Sequence, residues 1–115
     1  MIRRHPDQRV ERSEKPHDGE GAIEIRHIVE AEDHSNRHLK TMARVTVKPG
    51  DAVGYHTHEG KTEIIYILEG RALYFDGTER ILEPGDAAIV SEKDGQSIRC
   101  ADDQPMTYLA VILLP

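Results

Sequence analysis

The sequence predicts an all-β domain that closes on itself as a sandwich or barrel. Three observations carry this: apolar residues fall in short β-branched runs, no window sustains a 3.6-residue apolar period, and Gly, Pro and Asp punctuate the runs at regular intervals. Closure hides the edges that so many short strands would otherwise expose. In chain order the first candidate strand is 22–30, followed by 38–47 and then by Pro49-Gly50, where proline presets φ and glycine accepts the positive φ of a type II turn. Strand 52–57 comes next, then 63–68, which ends at Glu69-Gly70. Strands 71–75 and 79–82 flank Asp76-Gly77, a tight hairpin signal. Pro84-Gly85-Asp86 and Asp94-Gly95 bracket 87–90, and 97–101 and 106–114 complete the set.

Length and charge narrow the function classes. A chain of 115 residues fits one domain with one modest core. Fifteen basic against twenty-one acidic side chains give a formal charge of −6, which argues against a nucleic-acid partner, since a phosphate backbone needs a basic face. The longest apolar run, 109–114, falls far below the roughly 20 residues that span a bilayer. Arg3 and Arg4 lead into polar sequence rather than a signal-peptide core, so a soluble cytoplasmic protein is expected, with no membrane partner. Cys100 is the only cysteine and forms no internal disulfide. It reads as a small buried hydrophobe rather than a nucleophile.

Residues 1–20 are charged and nearly free of aliphatics, and are expected to form an arm or a disordered tail, with the barrel domain at 21–115. Strand 22–30, ahead of the motif-bearing core, is expected to pair with a neighbouring subunit's sheet edge and so to make a homodimer.

The chemistry concentrates at His56-Thr57-His58 and Glu63, with Gly50 before and Gly70 after. Two imidazoles at i and i+2 share one face of a strand, and a carboxylate five residues later returns to them across a hairpin. The spacing of Gly50, His56, His58, Glu63 and Gly70 matches the first motif of the cupin superfamily at every fixed position. The second motif is partly present, with Gly77 ahead of Pro84-Gly85-Asp86 and one residue more than the usual spacing before the proline. The chain thus resembles a small single-domain cupin over residues 37–114. The resemblance implies a double-stranded β-helix, a jelly-roll barrel with a divalent transition metal (Fe, Mn, Zn, Ni or Co) in its mouth.

Two departures bear on the metal. Where cupins usually carry a fourth ligand, a histidine twelve residues after the second-motif proline, this chain has Gln96, and the usual asparagine four residues on is Cys100. The expected metal set is therefore His56, His58 and Glu63, with Gln96 as an uncertain fourth member. Carboxamide is neutral like imidazole but a harder, weaker donor, so it lowers affinity and moves preference toward Mn or Fe. Gln96 has an alternative role as a hydrogen-bond donor to a metal-bound oxygen.

Strand parity adds Ile65 and Ile67, on the face of Glu63, as an apolar floor under the metal. Arg44, if inward, would anchor a substrate carboxylate. His5, His17, His27, His34 and His38 have no partner at ligand spacing, so surface or structural roles are favoured. His27 and His38, in strands, are best placed to reach a pocket, and His38 is a candidate base. The resulting expectation is a metal-dependent enzyme acting on a small anionic or carbonyl-bearing molecule. Its type among the dioxygenases, decarboxylases, lyases and isomerases that cupins include is unresolved. The alternatives are a non-catalytic small-ligand-binding module and a degenerate cupin with a weakened metal site.

Overall fold

The computed structural model describes residues 1–115. Ten strands form in chain order: β1 (Arg9–Glu14), β2 (Ala22–Glu30), β3 (Leu39–Val47), β4 (Ala52–Thr57), β5 (Thr62–Glu69), β6 (Ala72–Phe75), β7 (Glu79–Leu82), β8 (Ala87–Val90), β9 (Gly95–Cys100) and β10 (Met106–Leu113). They make a six-stranded sheet in the order β1-β2-β3-β10-β5-β8 and a four-stranded sheet in the order β4-β9-β6-β7, with every pairing antiparallel. No helix is long and apolar enough to cross a membrane.

Strand periodicity builds the core. In β3, Ala43, Val45 and Val47 are buried and the residues between them are less so; in β5 the same alternation buries Glu63, Ile65 and Ile67. The inner faces of the two sheets merge in one apolar cluster that includes Val53, Ile65, Ile67, Ile98, Met106 and Tyr108. The turn before β4 has the expected form: Gly50 sits at φ +88°, and the Asp51 amide donates to the Lys48 carbonyl at 3.0 Å.

The structure specifies the N-terminal arm and corrects one expectation. The arm is ordered: residues 9–14 pair with β2 from Arg9↔His27 to Glu14↔Ala22, since an edge strand gains its order from a backbone ladder and needs little apolar surface of its own. Strand 22–30 is consequently not free to accept a neighbouring subunit, because β1 and β3 occupy both of its edges. The open edges of that sheet are β1 and β8.

Candidate metal centre

The site is set by a β-bulge. Val53 pairs with Ile98 and His56 with Gln96, so β4 advances three residues where β9 advances two, and the extra residue falls at Gly54-Tyr55. Regular alternation from the inward Val53 would turn His56 outward. The bulge restores it to the interior and leaves Tyr55 exposed. His58 follows the end of β4, where its amide donates to the Asp94 carbonyl at 3.0 Å and its carbonyl accepts from the Lys93 amide at 2.6 Å. Glu63 enters from β5, between Val90 and Ile112, and Gln96 from β9.

His58, Glu63 and Gln96 are 1%, 9% and 2% exposed, and His56 is half-buried. One potential ligand atom from each of His56, His58 and Glu63 lies within 4.8 Å of the others. His58 Nε2 and Glu63 Oε1 are 2.7 Å apart, and Gln96 Nε2 donates to the same oxygen at 3.0 Å. His56 Nδ1 lies 2.8 Å from the Gly54 carbonyl, which only accepts, so Nδ1 carries the proton and Nε2 keeps its lone pair. Burial, followed by repulsion from His58, lowers the His56 pKa, while its bond to the Gly54 carbonyl opposes this; the net shift favours the neutral ring that a metal requires. Gln96 Oε1 is buried with no partner. A neutral imidazole with its second nitrogen anchored, a carboxylate and an unsatisfied amide oxygen form a donor set that fits a divalent transition ion.

A cavity of about 230 Å3 opens beside this cluster, between the sheets. Its walls are largely aliphatic, with Ile23, Ile25, Val45, Val53, Ile98 and Ile112 among them, and polar groups come from Ser13, His17, His27, Thr41 and Lys61. Burial and the Glu63 charge push the Tyr108 phenol far above its ordinary pKa, so this wall residue stays protonated.

The structure brings together His56, His58, Glu63 and Gln96. Ile65 and Ile67 share the inward face of Glu63 but belong to the packed core and do not reach the cavity. Arg44 points outward, between inward Ala43 and Val45, and donates to Glu69 at 2.7 Å; an inward anchor is ruled out by strand alternation. His38 is exposed, and its ring contacts the Leu114 carbonyl at 3.2 Å on the surface. It is no candidate base. His27 does reach the cavity, with Nε2 2.6 Å from Glu11 Oε1. His17, expected above in a surface or structural role, is exposed and stacks on His56 with ring centroids 3.6 Å apart. Nothing in the local spacing signals that contact, because a non-repeating loop makes it.

Comparison with known proteins agrees with the fold and the site. The family model described as Cupin domain matches residues 43–112. An oxalate-binding protein of Thermotoga maritima is 32% identical over 115 residues, covering 99% of this chain and 94% of that protein. The crystal structure of a predicted oxalate decarboxylase from Thermotoga maritima superposes with a TM-score of 0.91 at 31% identity, covering all of both chains. The polyketide cyclase RemF from Streptomyces resistomycificus, with a TM-score of 0.80 at 21% identity over 98% of this chain and 80% of that one, shares the fold. The two antiparallel sheets are those of a jelly roll, and this chain belongs to the cupin family.

Proposed function

We propose that this cupin holds a divalent transition metal through His56, His58 and Glu63, with Gln96 as fourth member, and seats a small carboxylate on it. The carrying observation is the convergence of three ligand atoms within 4.8 Å while the outer nitrogen of His56 is committed to the Gly54 carbonyl. The bound ion would supply Lewis-acid attraction for oxygen donors. His58 Nε2 lies 2.7 Å from Glu63 Oε1, and Glu63 as a ligand would be a poor general base.

A divalent ion and the Glu63 carboxylate would leave one net positive charge and Lys61 at the cavity wall adds a second, so the site suits a small anion. The name of the relative, an oxalate-binding protein, supports a ligand with two adjacent oxygen donors. Liquid water takes about 30 Å3 per molecule, so a cavity of about 230 Å3 holds more than such a chelating head. The remaining space faces isoleucine and valine, with no arginine on the wall for a second carboxylate. The ligand is therefore an α-keto or α-hydroxy carboxylate with a short apolar body.

Elemental analysis and calorimetry test this. The protein as isolated should carry one divalent ion, and His56→Ala and His58→Ala should each abolish stoichiometric binding. In Mn-loaded protein a branched-chain α-keto acid should bind about tenfold tighter than oxalate, because each buried methylene contributes about 0.8 kcal/mol. Full metal occupancy in the double histidine variant would end the proposal. Turnover, beyond binding, is favoured by one observation: Glu11 orients His27 on the cavity wall, as a proton-transferring imidazole requires. Loss of product formation in His27→Gln, with ligand affinity retained, would support catalysis.

A further inference from the structure

We propose that His17 is a positioning residue of the metal centre, carried over the site by residues 15–21 to hold the ring of His56. This rests on the reading of His56 as a ligand. The segment is unusual in its backbone. Lys15, His17 and Asp18 sit at φ 44°, 51° and 60°, the left-handed region that non-glycine residues avoid. Strain of this kind persists where the surroundings over-determine it. Here the Lys15 amide donates to the Gly21 carbonyl at 2.7 Å, and Glu20 and Ala52 exchange backbone hydrogen bonds of 3.1 and 2.9 Å. The segment also lies against β4 so closely that a Cβ on Gly54 would stand 2.1 Å from the His17 carbonyl, and a Cβ on Gly19 2.0 Å from that of Ala52. Two glycines and three strained residues thus serve one placement.

That placement puts the His17 ring face to face with His56, centroids 3.6 Å apart and planes 7° from parallel. Imidazole lone pairs lie in the ring plane, and two nearly parallel planes at this separation do not meet at one ion. With metal–nitrogen bonds of about 2.1 Å, two imidazoles at right angles on one ion place their centroids roughly 4.5 Å apart. His56 and His58, at 4.8 Å and tilted by 36°, fit that arrangement; His17 and His56 do not. His17 therefore acts on the ligand ring rather than on the ion. The Gly54 carbonyl fixes His56 in its plane, and His17 fixes it from one face.

The test compares His17→Ala and His17→Phe for cobalt affinity, by chelator competition, and for the absorption spectrum of the cobalt-loaded protein, with the melting temperature of the metal-free forms alongside. His17→Ala should weaken cobalt binding about tenfold and shift the spectrum, as loss of an outer support to a ligand does. His17→Phe keeps the stacked face without a nitrogen and should recover affinity to within about threefold of the parent. Unchanged affinity and spectrum in His17→Ala would overturn the inference, as would a His17→Phe protein as weak as His17→Ala, which would mean that the nitrogen is used. Should His17→Ala melt early, His17→Phe alone decides. Stoichiometric cobalt in His56→Ala would instead sink the ligand assignment on which this rests.

Discussion

Gln96 stands opposite His56 in the β4–β9 ladder, and its amide nitrogen shares Glu63 Oε1 with His58. One carboxylate oxygen therefore gathers two donors, while the amide oxygen of Gln96 has none. An orphaned buried oxygen costs about 1–3 kcal/mol unless something completes it, and a divalent ion would do so. Gln96→His replaces a weak oxygen donor by imidazole and should tighten zinc binding by about tenfold or more, whereas Gln96→Ala should weaken manganese binding by a similar factor. Competition against a chromophoric chelator reads both; equal affinities across the three proteins would remove Gln96 from the centre. The four clustered residues were legible in the sequence because ligand spacing along strands is a local rule. Arg44 lies on the outer face of β3, as is usual for a charged residue in a strand, and His38 falls just before β3, where strand parity does not direct a side chain. His17 was illegible because its partner is distant in the chain and the contact is made by a left-handed loop.

At the level of elements, the bulge in β4 and the loop laid over it form one unit. Gly54→Ala would drive a methyl into the His17 carbonyl, and backbone on both sides leaves little room to yield. Overpacking of this kind costs about 1–3 kcal/mol, so the urea midpoint should fall and the His17–His56 stack should open. The N-terminal arm supplies a second test. Arg3 forms a two-pronged ion pair with Asp33, one arm at 2.6 Å, and the Glu30 amide donates to the same carboxylate at 2.7 Å. The Arg3 guanidinium first, and that amide second, hold the Asp33 carboxyl at about 2 against an ordinary 3.8. Because the folded value is the lower, the contact stabilises the arm fully above about pH 4 and is lost as the pH falls through about 2. Hydrogen exchange of β1 amides should lose protection across that window in the parent and lose less of it in Asp33→Asn, where only the Arg9–Glu30 pair still titrates. Nine strands were legible from turn chemistry, but β1 was not. Val10 is its one aliphatic residue, and backbone pairing with ion pairs such as Arg9–Glu30 at 2.6 Å holds it in place of apolar burial.

In the whole molecule, the core and the metal cluster occupy the same strands, and core residues such as Val53 and Ile98 also wall the cavity beside the cluster. Glu63, Ile65 and Ile67 alternate inward along β5, yet only Glu63 meets the cavity, while Ile67 is fully enclosed among aliphatics. Ile67→Ala should therefore cost about 2–5 kcal/mol through the lost side chain and the void it leaves. A bound ion would stabilise the fold by a different route, binding the folded state alone, and would contribute about 2.7 kcal/mol when its free concentration is 100 times its dissociation constant. Glu63 and Ile67 lie four residues apart along β5, and contributions from sites so separated should add. Manganese should then raise the stability of parent and Ile67→Ala protein by the same increment, whereas His58→Ala should lose that increment altogether. Denaturant unfolding with and without manganese measures all three. A reduced increment in Ile67→Ala would show that the core beneath Glu63 sets the geometry of the centre, and that barrel packing and metal affinity are one property rather than two.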